Sequence, residues 1–204
     1  MALLLLTKSL AVDAEDQCGS LANAYGPYDY SDPVERADKL PVVEQYHFDR
    51  DVEMLIGHRE KGNNPGTVPG DLDYTLRAFP NHHRALYALV RYETETESPG
   101  KLRYSVDCYF VRAMRFAAHD AMVPMIYGLY LNRVGRVDDA IEFLTNSVSL
   151  NPGLAEAHYN LGLLYLSVGE LESAKSHAKT AYDLQYPLTG LRDKLARAGA
   201  ALVD

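Results

Sequence analysis

His82 and His83, with Arg77, Asn81 and Arg84 around them, form the densest group of side chains in this sequence that could move a proton or hold a metal. An enzymatic reading makes one histidine a general base or a metal ligand. Adjacent histidines on a helix diverge, however, and no acidic residue stands one helical turn away to complete a metal pair. A cap-and-surface role explains them more simply: Asn81 has the side chain of an N-cap for a helix running through His83, Leu86 and Val90. Asp71 and Asp73 precede their own helix and favour its positive end. The sequence contains no Gly-rich phosphate loop, no Ser nucleophile elbow and no HExxH helix. No catalytic residue, metal or cofactor is therefore expected.

Cys18 and Cys108 are the other reactive pair. An oxidising compartment would join them, a cytosolic chain would keep two free thiols, and two buried unpaired cysteines fit the sequence as well. Their separation has no metal-site spacing. The compartment turns on the start of the chain, where Met1-Ala2-Leu3-Leu4-Leu5-Leu6 is followed by a small-residue exit at Val12-Asp13-Ala14. This resembles the apolar region and cleavage site of a secretory signal, although a basic start is missing and Lys8 interrupts the run. Residues 1–14 are read as a signal segment and the protein as periplasmic or otherwise exported, with a frayed terminus on a cytoplasmic protein as the alternative. Gln17, ahead of Cys18, disfavours a lipid-modified cysteine.

The 204 residues include 47% hydrophobic and 24% charged side chains, close to a globular average, so most of the chain should pack. Net charge is −8 without a basic patch, which argues against a nucleic-acid partner. No stretch is long and apolar enough to span a bilayer. Fifteen tyrosines and no tryptophan suit a recognition surface, and equally suit ordinary packing between helices.

The elements that position these residues emerge from self-similarity in the C-terminal half. At an offset of 34 residues Gly128 falls on Gly162, Gly135 on Gly169, Ala140 on Ala174, Ser147 on Ala181 and Leu150 on Leu184. Each copy has an apolar helix, a glycine turn and a second helix rich in alanine. Asn151-Pro152 closes the first copy and Pro187 the second. The Leu-Gly of the first helix, the Gly turn, the Ala opening the second helix and the closing Pro resemble the tetratricopeptide repeat (TPR). His158 stands where that family often has Trp, Pro124 fills the same place one copy earlier, and Ala178 replaces a frequent aromatic.

The resemblance implies an all-α fold, a short TPR solenoid of antiparallel helix pairs behind an irregular N-terminal segment. Residues 121–187 read as two clear repeats, and 188–204 as a capping helix, from Leu188 to Ala198, with a tail. Residues 71–120 read as degenerate repeat helices, the second from Val106 to Ala117, with a loop insertion at 94–103. Residues 15–70 are punctuated by Gly26-Pro27 and Asn64-Pro65-Gly66 and leave room for one short helix, about Asp49 to Arg59. The pairing of Tyr25-Gly26-Pro27-Tyr28-Asp29-Tyr30 with the stretch from Asp73 to Leu86 resembles a group of exported TPR proteins of Gram-negative bacteria. That likeness implies an envelope location and supplies no activity.

In a TPR the first helices line a concave groove. The resemblance places Met122, Met125, Ile126, Leu129, Asn132 and Arg133 there, beside Glu156, Tyr159, Asn160, Leu163, Leu166 and Ser167. A Met-rich apolar lining suits a helix or extended peptide of a partner protein. Asn160 fits a clamp for a C-terminal carboxylate, but Ile126 at the equivalent place does not. The chain could also fill its own groove with the segment from Tyr25 to Tyr30. Two other classes remain: an enzyme or ligand-binding protein with a pocket near Arg77 to Arg84, which a bound small molecule would favour, and a structural subunit, which an obligate partner would select.

Overall fold

The computed structural model describes residues 18–56, 58–59, 66–96 and 102–202; the signal segment read at 1–14 and part of the loop read at 94–103 lie outside them. The chain divides into two compact units, Met1–Asp120 and Ala121–Asp204. The fold is all-helical, apart from one pair of two-residue strands among the described residues.

In the first unit the region read as irregular with one short helix instead forms a 15-residue helix, α1, Pro33–His47. Asp32 caps it, its side chain accepting from the amides of Val34 and Glu35, and Pro33 occupies the first turn, where its missing N–H costs nothing. The helix expected at about Asp49 to Arg59 is only α2, Arg50–Glu53. It stops because Leu55 turns left-handed at φ 59°, and Ile56 N–H closes back onto Asp51 O at 2.8 Å. His58–Arg59 (β1) then pairs antiparallel with Gly66–Thr67 (β2). Three longer helices follow: α3, Val68–Ala78; α4, His83–Glu95; and α5, Val106–Phe116. Leu72, Leu76, Phe79, Leu86, Leu89 and Phe110 have almost no exposed surface and form much of the core of this unit.

The segment entering this unit is tied down at both ends. Cys18 and Cys108 are joined by a disulfide with Cα atoms 5.1 Å apart. One helical turn beyond Cys108, the buried Arg112 donates through Nη1 to the carbonyls of Cys18 at 3.0 Å and Ser20 at 2.7 Å, and lies over the Tyr104 ring at 4.8 Å. Farther on, Tyr28 N–H donates to Ala78 O at 2.8 Å. Tyr25, Tyr28 and Tyr30 pack with Tyr74 around Leu40, Val43, Ala78 and Phe79.

The second unit contains two helix pairs and a final helix: α6, Met122–Arg133; α7, Val137–Leu150; α8, Ala155–Ser167; α9, Leu171–Asp183; and α10, Gly190–Arg197. The 34-residue period is written into its backbone. Gly135 and Gly169 adopt φ of 81° and 85°, a conformation that lets Arg136 N–H reach Leu131 O and Glu170 N–H reach Tyr165 O, both at 2.8 Å. Each pair closes through a helical glycine. A Cβ on Gly128 would lie 3.1 Å from Ala140 O, and one on Gly162 would lie 3.3 Å from Ala174 O, again equivalent positions. Ala174, Ala178 and Ala181 then pack with Tyr159, Leu191 and Leu195, so that α10 covers the last pair.

Candidate functional site

Around His82 the structure gathers more carboxylates than sequence distance suggests. His82 caps α4, its Nδ1 accepting from Ala85 N–H at 3.1 Å. The cap expected at Asn81 therefore sits one residue later, because the Asn81 side chain is turned to longer-range partners. It accepts from Tyr30 N–H at 2.9 Å and donates to Asp29 and to Asp120, each at 2.8 Å. His83 Nε2 stands 2.7 Å from the same Asp120 oxygen. The surface role expected for the pair also fails for His82, which is fully buried, tilted at 32° against Tyr30 with centroids 4.4 Å apart and edge-on to Phe48 at 4.8 Å.

Arg84 completes the network. It donates to Glu44 at 2.9 Å and to both oxygens of Glu53, at 2.8 and 2.5 Å. Burial holds His82 below the ordinary histidine range, opposed by Glu44. Its Nε2 is 3.3 Å from Glu44 Oε1 without hydrogen-bond alignment. His82, and after it Arg84, hold Glu44 below the usual carboxylate range. For Asp29 burial acts upward, but hydrogen bonds from Ser31 and Asn81 outweigh it and its proton affinity falls. Arg77 belongs to a separate set: its Nε donates to Asp73 at 2.9 Å, its Nη1 to Asn23 at 2.8 Å, and it lies over Tyr74. Apart from His82 Nε2, these groups are paired with one another and join α1, α2 and α4 to the tyrosine segment. A pocket of about 180 Å³ lies nearby, lined by Tyr25, Val42, Val43, Tyr46, His47 and Tyr74.

The first helices of the second unit present a different surface. Met125 and Ile126 have no exposed area, so they act as core rather than as an open lining. Tyr159 is 8% exposed and packs on Tyr186 with centroids 4.6 Å apart. Leu129 and Leu163, equivalent positions in the two pairs, are both half-exposed, as are Met122, Asn160 and Leu166. Asn132, Arg133 and Ser167 are exposed, and Glu156 is half-exposed. Asn160 Nδ2 donates to Glu156 O of its own helix at 2.8 Å, which spends one of the groups a carboxylate clamp would need.

Residues 155–186 match the family model described as tetratricopeptide repeat. The chain carries a tetratricopeptide repeat. The matched span covers α8, the Gly169 turn and α9, and ends at Tyr186. A solved structure titled "MamA MSR-1 C2" is similar over 88% of this chain and 91% of that chain, at 17% identity and a TM-score of 0.47, too low a likeness to bear on function. No curated protein matches the chain.

Within the matched span, one histidine pair is not apparent from the sequence. His177 on α9 meets His158 on α8, with Nδ1 atoms 3.0 Å apart. The signal available was that position 158 carries an imidazole where the family often has an indole, and that 177 lies on the facing helix.

Proposed function

We propose that the protein is an exported adaptor that holds a segment of a partner protein against the first helices of its TPR pairs. The observation that carries this reading is the half-exposed, apolar Leu129 and Leu163 at equivalent positions of α6 and α8, with Met122 and Leu166 on the same two helices. A repeat that leaves the same large apolar side chain only partly covered in each copy, Leu163 resting on the cluster around Leu191 and Leu195, offers a periodic strip suited to a helix or an extended peptide. Burying such side chains under a partner contributes roughly 1.5–3 kcal/mol each before ordering costs. Because Tyr25, Tyr28 and Tyr30 pack against α1 and α3, the reading leaves the strip to a foreign segment.

The Cys18–Cys108 disulfide supports an oxidising compartment, hence the envelope location. The test is Leu129→Asp combined with Leu163→Asp. Affinity capture from envelope extract should lose the partner that the wild type retains, while helical content by circular dichroism stays intact. Identical capture by the double variant refutes the groove reading.

A further inference from the structure

Packing does not require the imidazole pair of the second repeat. Thirty-four residues earlier, the same places hold Pro124 and Phe143, and that helix pair closes without a histidine. In the second pair His158 is 9% exposed, and its Nε2 lies 3.2 Å from the Pro152 carbonyl oxygen. That oxygen can only accept, so Nε2 carries the hydrogen of the neutral ring and Nδ1 offers its lone pair toward α9. His177 is half-buried, and its ring lies parallel to Tyr165, with centroids 5.5 Å and planes 11° apart. Both rings are thus oriented by neighbours, and their Nδ1 atoms converge to 3.0 Å.

We propose that His158 and His177 form a two-imidazole site for a divalent transition-metal ion, Cu²⁺ foremost, bracing α8 to α9. Two nitrogens each about 2.05 Å from one ion stand about 2.9 Å apart at a right angle and about 3.4 Å apart at a tetrahedral one. The 3.0 Å between the Nδ1 atoms of the metal-free pair is a hydrogen-bond length that lies within about 0.4 Å of either spacing, so Cu²⁺ is put first by its imidazole donors and its place at the top of the affinity order for divalent first-row metals. Imidazole donors exclude Mg²⁺ and Ca²⁺, which take oxygen ligands. The bond from His158 Nε2–H to Pro152 O is the outer contact that fixes a ligating tautomer. Without metal, His177 Nδ1–H donates to the His158 lone pair. On loading, that hydrogen moves through solvent to His177 Nε2, both Nδ1 lone pairs face the ion, and no net proton is released. Among the described residues no third His, Cys, Asp or Glu joins the pair, so water fills the remaining positions.

The experiment titrates the untagged full chain with CuCl₂ and records electron paramagnetic resonance spectra and the thermal midpoint. One equivalent should give nitrogen splitting from two imidazoles and raise the midpoint. His177→Phe, which copies the Phe143 arrangement, should retain the metal-free helical content, lose the two-nitrogen signature and bind Cu²⁺ at least about tenfold more weakly. His177→Gln should give the same readings if the phenylalanine variant loses helicity. A wild-type spectrum without two-nitrogen coupling overturns the proposal. So does an unchanged spectrum and affinity in the folded variant, which would assign the ion to donors other than the His158–His177 pair.

Discussion

Gly128→Ala offers the sharpest test of the repeat register, because the tightest part of the obstruction it creates is set by one side chain. The added Cβ would lie 2.7 Å from Leu144 Cγ, 3.3 Å from Leu144 Cδ1 and 3.1 Å from Ala140 O. Carbon atoms rest at about 3.5–4.0 Å, so α6 and α7 must part or Leu144 must leave its rotamer. Overpacking of this kind costs about 1–3 kcal/mol, against a helix-propensity gain of about 1 kcal/mol for replacing glycine, which leaves a net loss of roughly 0–2 kcal/mol. A single value that close to zero proves little.

The coupling with Leu144 decides the matter. Leu144 is fully buried, and Leu144→Ala alone should cost about 2–5 kcal/mol. In the double variant Cγ is gone and with it the 2.7 Å clash, the 3.1 Å approach to Ala140 O stays, and the helix-propensity gain remains. The two losses should then fall short of additivity by about 1–3 kcal/mol, well beyond the roughly 0.5 kcal/mol expected of independent sites. Urea unfolding followed by circular dichroism, at constant slope across the four proteins of the cycle, measures the term. Additive losses would mean that Gly128 does not face Leu144, and the register drawn from the 34-residue offset would be wrong.

Gly162→Leu should lower the thermal midpoint clearly more than Gly162→Ala, because the first new atom comes closest to the far end of Leu191, 2.5 Å away and able to rotate, and lies 3.3 Å from Ala174 O, whereas the branched side chain must enter the Ala174–Ala178 interface; equal midpoints in scanning calorimetry would contradict it. Mapping of unreduced peptides should recover Cys18 joined to Cys108, and two alkylated thiols would remove that support for an oxidising compartment. Asn81→Ala should destabilise the protein by about 1–3 kcal/mol in denaturant titration, since it strips partners from the buried Asp120 and from Asp29. His82 binds its proton more weakly folded than unfolded, so the stability it contributes is complete above about pH 6.5 and is lost as pH falls through the lower folded value. Glu44, Arg84 and His83 are the titratable groups facing it, and His82→Asn, which keeps a cap, should flatten that acid limb; an unchanged stability profile from about pH 7 to 5 would refute the assignment.

What the sequence made legible follows contact range. In the second unit the pieces that recur, a helical glycine, a turn glycine and small residues on the second helix, act on neighbours within one repeat, so periodicity alone finds them. The first unit is built from contacts that periodicity does not register: Tyr30 to Asn81, Glu44 to Arg84, Cys18 to Cys108. Its α1 buries only Leu40 and Val43, and Pro41 interrupts it, so no apolar stripe announced it. A local signature was nevertheless present, an aspartate cap followed by Pro33 and, at the third helical position, Glu35.

The candidate strip was only half legible for a related reason. Helix α6 is apolar on nearly every side, with Val123, Pro124, Met125, Ile126, Tyr127, Gly128, Tyr130 and Leu131 all buried. A helix with no polar face carries no phase from which to read its open side, so the assignment of Met125 and Ile126 rested on family geometry and met a core instead. Leu129 and Leu163 do not share that weakness, because two equivalent positions on two differently surrounded helices remain half-exposed together. Recurrence across copies is therefore the better guide to a binding face in this chain. It points to the two leucines, while His158 and His177 break the recurrence, since the equivalent places of the first pair hold Pro124 and Phe143.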